Sequence, residues 1–205
     1  LLNGGSDTLK GGGTLVNVGT ITIDSNGPTV TMDGVTINNG GTITVNGPLD
    51  FGTVAIGSAS DGYIGTINAE SFENGELIVL PTLTQGNNDT VKVVQYLNGA
   101  INVPNDGSLS IISQSVTWLA DLQVDPDNPN TYRIVMVKIP YTSLFKGTEA
   151  LELGKGLDEI YEGAKGKELA MFDAIDSISN KDELGSVMDN QIRGNIYANI
   201  QERIL

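Results

Sequence analysis

Two periods of apolar residues divide the chain: short runs of strict apolar–polar alternation over roughly the first two thirds, and apolar residues at helical spacing over the last third. In the first part, Gly-Thr followed by an aliphatic residue recurs at Gly13-Thr14-Leu15, Gly19-Thr20-Ile21, Gly41-Thr42-Ile43, Gly52-Thr53-Val54 and Gly65-Thr66-Ile67, with Gly34-Val35-Thr36-Ile37 between them. Runs such as Thr20-Ile21-Thr22-Ile23-Asp24 and Thr42-Ile43-Thr44-Val45-Asn46 place Ile21, Ile23, Ile43 and Val45 on one face and Thr on the other, the pattern of half-buried strands. Asn26-Gly27, Asp33-Gly34, Gly40-Gly41, Asn46-Gly47 and Asp61-Gly62 punctuate them, and such pairs turn corners at little steric cost. Short strands with tight corners fit either an antiparallel sandwich or a right-handed parallel β-helix. Equivalent units at Gly19, Gly41 and Gly65 lie 22 and 24 residues apart, the length of one solenoid coil, so the expectation is a mainly β right-handed parallel β-helix with Ile stacked on Ile inside and Thr on Thr outside.

Residues 72–112 continue in looser style through Glu76-Leu77-Ile78-Val79-Leu80, Thr90-Val91-Lys92-Val93-Val94, Ala100-Ile101-Asn102-Val103 and Leu109-Ser110-Ile111-Ile112. Residues 117–124 and 132–139 then form two longer strands around Asp125-Pro126-Asp127-Asn128-Pro129-Asn130, which reads as an antiparallel hairpin. A hairpin there would cap the open last coil, whose unpaired backbone groups otherwise invite edge-to-edge association. From Tyr141 onward the period becomes helical: Leu169, Phe172, Ile175 and Ile178 form one stripe, Leu184, Val187, Met188 and Ile192 another, and Ile192, Ile196, Ile200 and Ile204 a third. Asn180 ahead of Lys181-Asp182-Glu183 has the form of an N-cap followed by acids in the first turn. Gly147, Gly154, Gly156, Gly163 and Gly166 are expected to break the earlier tail into short helical pieces at residues 144–153 and 157–161. The division that follows is a β-helical stem over residues 1–115, a hairpin cap over 116–140 and an α-helical tail over 141–205.

Composition narrows the chemistry. The chain has 205 residues, no Cys and no His, so a Ser–His–Asp triad, a thiol nucleophile, His or thiolate metal sites and disulfides are impossible within it. With 39% hydrophobic residues it can bury a core and does not have the signature of disorder. Its formal charge is −14, and no Lys or Arg lies between Lys10 and Lys92. Phosphate backbones and anionic lipid surfaces need clustered cations, so neither nucleic acid nor anionic membrane is an expected partner.

Carboxylates are the remaining candidates for catalysis. Asp24, Asp33, Asp50 and Asp61 are of the right type for glycoside hydrolysis, but each lies near a Gly-rich corner where turn chemistry alone explains an Asp. A lyase-type base is missing from most of the β region for want of Lys and Arg. The Asp125-to-Asn130 segment departs from a calcium loop at its sixth position, Asn130, and its twelfth, Met136. Gly11-Gly12-Gly13 has no following helix or Lys to cradle phosphate, and Asn88-Asp89-Thr90 matches a glycosylation acceptor only by pattern. The expectation is a non-enzyme without a cofactor or metal.

The order of parts, a Gly/Thr/Asn-rich β region, a Trp-bearing hairpin ending in Tyr132-Arg133-Ile134-Val135-Met136-Val137-Lys138, and helices closing on Asp189-Asn190-Gln191-Ile192-Arg193-Gly194-Asn195-Ile196-Tyr197-Ala198-Asn199, resembles the passenger-to-barrel junction of monomeric type V autotransporters. The Asp176-to-Leu184 stretch is most similar to that of large fusobacterial adhesins of this kind. Arg193 and Asn195 stand where the pre-barrel signature usually has Ser and an acid. The resemblance implies a membrane-proximal stem at the bacterial surface, anchored at the outer membrane, that presents a distal adhesive region and nucleates passenger folding. Trp118, Leu122, Tyr132, Ile134 and Met136 would form the folding nucleus, and Leu169, Phe172, Ile175, Ile178, Ile192 and Tyr197 the helical linker. The partners implied are the protein's own outer-membrane β-barrel, a host-cell or bacterial surface ligand bound by upstream regions, and a second copy through exposed helices. A stem of a subtilisin-like protease autotransporter is the alternative. Apolar helix faces without a barrel are expected to fold back on the β region or to pair with another copy.

Overall fold

The computed structural model describes residues 2–3, 8–9, 17–25, 29–32, 35–37, 40–56, 64–79, 89–101, 109–145 and 147–188. Its elements are β1 (Leu2–Asn3), β2 (Thr8–Leu9), β3 (Thr20–Asp24), β4 (Val30–Met32), β5 (Val35–Ile37), β6 (Thr42–Asn46), β7 (Pro48–Asp50), β8 (Thr53–Ile56), β9 (Gly65–Phe72), β10 (Gly75–Val79), β11 (Val91–Ile101), β12 (Leu109–Ser113), β13 (Trp118–Val124) and β14 (Thr131–Lys138). Four helices follow: α1 (Tyr141–Leu144), α2 (Thr148–Tyr161), α3 (Lys167–Asp176) and α4 (Lys181–Val187).

The strands form two sheets, one of ten strands with β1, β3, β6, β9, β11, β14 and β13 as its main path and one of four in the order β12, β10, β8, β5. Inward side chains of both, among them Ile43, Ile67 and Leu97 from the larger and Val54, Leu77 and Val79 from the smaller, belong to one buried core. Within the larger sheet the neighbours β3–β6, β6–β9 and β9–β11 are parallel, whereas β11–β14 and β14–β13 are antiparallel.

This corrects the expected fold. The chain is not a right-handed parallel β-helix solenoid but a mainly β structure with a mixed sheet facing a smaller second one. The reason lies in β11. It is eleven residues long and pairs with parallel β9 on one edge and antiparallel β14 on the other. The hairpin is therefore hydrogen-bonded into the sheet as its last two strands rather than laid over the end of a stack. Each pairing carries its own register shift, between Val93 and Gln95 against β14 and between Asn98 and Ala100 against β9.

The repeat spacing corresponds to local pairing. Ile21 lies beside Ile43 and Ile43 beside Ile67, Leu97 continues the row, and Tyr132 follows across the antiparallel pair. The adjacent row runs Thr22, Thr44, Asn68, Asn98, Thr131, and hydrogen bonds tie its last four members: Asn68 Nδ2 to Thr44 Oγ1 (3.1 Å), Asn98 Nδ2 to Asn68 Oδ1 (2.9 Å) and Thr131 Oγ1 to Asn98 Oδ1 (2.8 Å). Gly41 of the Gly-Thr-Ile motif has a packing role: a Cβ there would fall 2.5 Å from Nδ2 of Asn17, whose amide bonds Thr42 O and Gly19 N.

In the helical part, α2 runs unbroken through Gly154 and Gly156, against the expectation of two pieces. Gly154 sits where a Cβ would meet Thr142 N at 3.0 Å, so its missing side chain allows α1 to pack against α2. At Gly154, packing gained by close approach offsets a propensity cost of about 1 kcal/mol. Asn180 caps α4 as expected, its Oδ1 accepting from Asp182 N at 2.8 Å. No described helix is long and apolar enough to cross a membrane.

Candidate functional site

The densest polar constellation among the described residues is built where the hairpin meets the helices. In β14, Ile134, Met136 and Lys138 alternate onto one face, and Lys138 continues a run of buried positions with a charged group. In α3, Asp176 adjoins Ile175 at the end of the apolar stripe and is 1% exposed. The two form an ion pair, Lys138 Nζ to Asp176 Oδ1 at 2.5 Å, with both side chains almost wholly enclosed.

Asp176 receives three further donors. Thr117 Oγ1 donates to Oδ1 at 2.5 Å, Tyr141 OH to Oδ1 at 3.1 Å, and Trp118 Nε1 to Oδ2 at 2.8 Å. Thr117 is held in turn by Ser115, whose Oγ accepts from Thr117 N at 3.1 Å. Lys138 Nζ also donates to Tyr141 OH at 3.1 Å and lies 4.2, 5.1 and 5.4 Å from the ring centres of Tyr141, Tyr161 and Trp118. Phe172 closes the group, 5.7 Å from Tyr141 and 5.0 Å from Tyr161 between ring centres. Below it, Asp158 of α2 accepts from Tyr141 N (2.7 Å), Thr142 N (3.1 Å) and Thr142 Oγ1 (3.0 Å), fixing α1 to α2.

Burial sets the electrostatics. Loss of water lowers the proton affinity of Lys138 against the opposing pull of Asp176, and burial followed by the Asp176 charge pushes the Tyr141 and Tyr161 phenols up. Lys92, whose ammonium lies 4.9 Å from the Trp118 ring centre, is lowered by burial to about 8 although Asp176, Asp173 and Asp89 pull the other way. The arrangement joins β13, β14, α1 and α3 through one carboxylate. Its polar atoms bond one another, and a cleft of about 380 Å³ flanked by Val91, Val137, Asp158 and Tyr161 reaches Lys138 from one side.

The sequence-derived residues fall around this centre. Trp118, Leu122, Tyr132, Ile134 and Met136 share one face of the hairpin, with Leu122 opposite Ile134 and Trp118 opposite Lys138. Trp118, Ile134 and Met136 are buried, and Leu122 and Tyr132 are half-buried. Phe172, Ile175 and Ile178 are buried in the common core with Leu169 packed against it, so this stripe does fold back onto the β region. Ile192 and Tyr197 lie outside the described residues. Asp50 Oδ1 accepts from Gly52 N at 2.8 Å, the turn role expected of it, and Asp24 accepts from Asn46 Nδ2 on the surface. Asp33 and Asp61 lie outside the described residues. In the hairpin turn, Asp125 Oδ1 accepts from Asp127 N at 2.9 Å and Asn128 Oδ1 from Asn130 N at 3.1 Å. Among the described residues no group of three or more potential metal-ligating side chains comes together.

Sequence reasoning missed Asp176, Lys138, Tyr141 and Thr117 as a group. Two signals were present: a Lys at a core-facing position of an alternating strand, and an Asp beside an apolar helical stripe. Each signals a buried charge, and opposite buried charges pair.

Residues 53–140, less than half of the chain, match the family model of the BigA beta sandwich domain. The match runs from β8 to the end of the hairpin, and a sandwich accords with two sheets around one core. The family matched is a β-sandwich domain and not an autotransporter passenger region. No curated protein and no solved structure matches the chain.

Proposed function

We propose that this chain is a non-enzymatic structural module of a bacterial surface protein of adhesin type. The observation that carries the proposal is the match of residues 53–140 to the BigA beta sandwich domain, a type found in surface-exposed, adhesin-like bacterial proteins. The chemistry of the buried cluster supports it. Lys138, Asp176, Thr117 and Tyr141 are each at most 8% exposed and hydrogen-bond one another, which suits a brace between elements and not a site that must admit substrate. In its finer form the proposal makes the module the membrane-proximal stem of an autotransporter, with the hairpin around Trp118 as the part that folds first. The resemblance at residues 174–203 and the order of strands, hairpin and helices support that reading.

Accessibility tests the coarser proposal: antibodies raised against the module should label intact cells of the source bacterium, and labelling that appears only after lysis would refute it. For the finer reading, replacing Trp118→Asp should slow refolding and lower the amount displayed on the surface. Equal display of variant and wild type would remove the folding role of the hairpin.

A further inference from the structure

The Lys138–Asp176 contact has the makings of a covalent bond. We propose that Lys138 and Asp176 condense spontaneously into an intramolecular amide that staples β14 to α3.

The reacting atoms are already juxtaposed. Nζ lies 2.5 Å from Oδ1, and since a C=O bond is about 1.23 Å long, the nitrogen stands no more than about 3.7 Å from the carboxyl carbon. Trp118, Tyr141, Tyr161 and Phe172, all at most 4% exposed, enclose the pair on every side but the cleft at Lys138. The reaction needs the neutral amine and the neutral acid, which one proton passed along the hydrogen bond from Nζ to Oδ1 provides. Burial lowers the proton affinity of Lys138, in the same direction.

The hydrogen-bond network matches the path of the reaction. Nζ attacks the carboxyl carbon, and the oxygen that takes on negative charge, Oδ2, is the one held by Trp118 Nε1 at 2.8 Å. Nζ donates to Tyr141 OH, and Tyr141 OH donates to Oδ1, so the phenol can take a proton from the nitrogen while giving its own to the departing oxygen. Oδ1 leaves as water and Oδ2 remains as the amide carbonyl. One ammonium and one carboxylate become one amide and one water, with no oxidant, metal or cofactor consumed. The cleft that reaches Lys138 past Val91 and Tyr161 gives the water a way out. In a chain with no Cys, such a bond takes the place that a disulfide would have in an extracellular protein.

Intact mass spectrometry of the purified, denatured chain tests the proposal. The expected mass is one water below that of the sequence, and a tryptic digest should contain a branched peptide carrying both Lys138 and Asp176, uncut at Lys138. Lys138→Arg and Asp176→Ala should each restore the full mass. Tyr141→Phe, which keeps the ring, should slow the loss of water at least tenfold, followed after refolding of newly made protein. A wild-type chain that stays at full mass after prolonged incubation in the folded state would leave an ordinary ion pair and overturn the proposal. So would a water loss that maps to an Asp-Gly succinimide, for which Asp33-Gly34, Asp61-Gly62 and Asp106-Gly107 are the controls.

Discussion

Asp176 carries more of this structure than its single charge implies. It accepts from Thr117, Trp118, Lys138 and Tyr141, so removing it takes the shared acceptor from four buried donors, one of them charged. Asp176→Ala should cost about 3–5 kcal/mol by urea denaturation, the usual scale for leaving a buried charge uncompensated. Lys138→Met should cost less, because Asp176 would keep three neutral donors; an equal or larger loss would show that the ammonium and not the carboxylate organises the group. Gln95 is the opposite case. It is fully buried at the β11 register shift with both side-chain amide atoms unpaired, and Gln95→Met should raise stability by about 1 kcal/mol. Lys92 supplies one part of the pH dependence, beside Lys138, Tyr141 and Tyr161. Its ammonium is lowered from 10.5 to about 8, so the unfolded chain holds this proton over a range where the folded chain has released it. Burying the charged form therefore opposes folding fully below about 8, and that opposition fades as pH climbs toward 10.5. Relative to Lys92→Met, wild-type stability should be flat below that window and rise across it, and parallel stability profiles for the two chains would contradict the assignment.

The rows of like residues explain why the strands adopt their registers. A slip of one residue would turn Ile43 and Ile67 outward and bring Thr44 and Asn68 into the core. Ile67→Ala, at a fully buried position, should destabilise by about 2–5 kcal/mol, whereas Leu119→Ser on the exposed face of β13 should change stability by no more than about 0.5 kcal/mol. Much at this scale was legible in the sequence. The alternation marked the strands, the Asp-Pro-Asp-Asn-Pro-Asn segment the hairpin, and Asn180 the start of α4. What misled was the repeat length. Spacings of 22 and 24 residues fix which strands are parallel neighbours but not what sits beside β11, and the antiparallel pairing there turns a parallel array into a mixed sheet. The glycines of α2 misled for a related reason, since Gly154 reads as a breaker locally and serves as a contact surface in the fold. The cluster at Asp176 was the least legible part, because Thr117, Lys138 and Asp176 are separated by up to 59 residues and only tertiary packing brings them together.

At the scale of the molecule, one core runs from the sheets into the helices: Leu97, Trp118, Tyr141, Phe172 and Leu184 belong to the same buried cluster. The tail from α1 to α4 is therefore an integral layer of the structure over the described residues, tied to the hairpin by the ion pair and by Val116 N donating to Ile178 O at 2.9 Å. A module built this way should transmit load between its β part and whatever lies beyond its helices without either loosening first. Trp118 is the only Trp, so its fluorescence reports the hairpin at its junction with α3, while the far-ultraviolet helical dichroism reports α2 to α4. Following both signals through urea unfolding of the wild-type chain tests the claim that Asp176 joins hairpin and helices into one cooperative unit. The two transitions are predicted to coincide in wild type and to separate in Asp176→Ala, with the helices lost first; helical signal that disappears well before the Trp118 transition in the wild-type chain would contradict it.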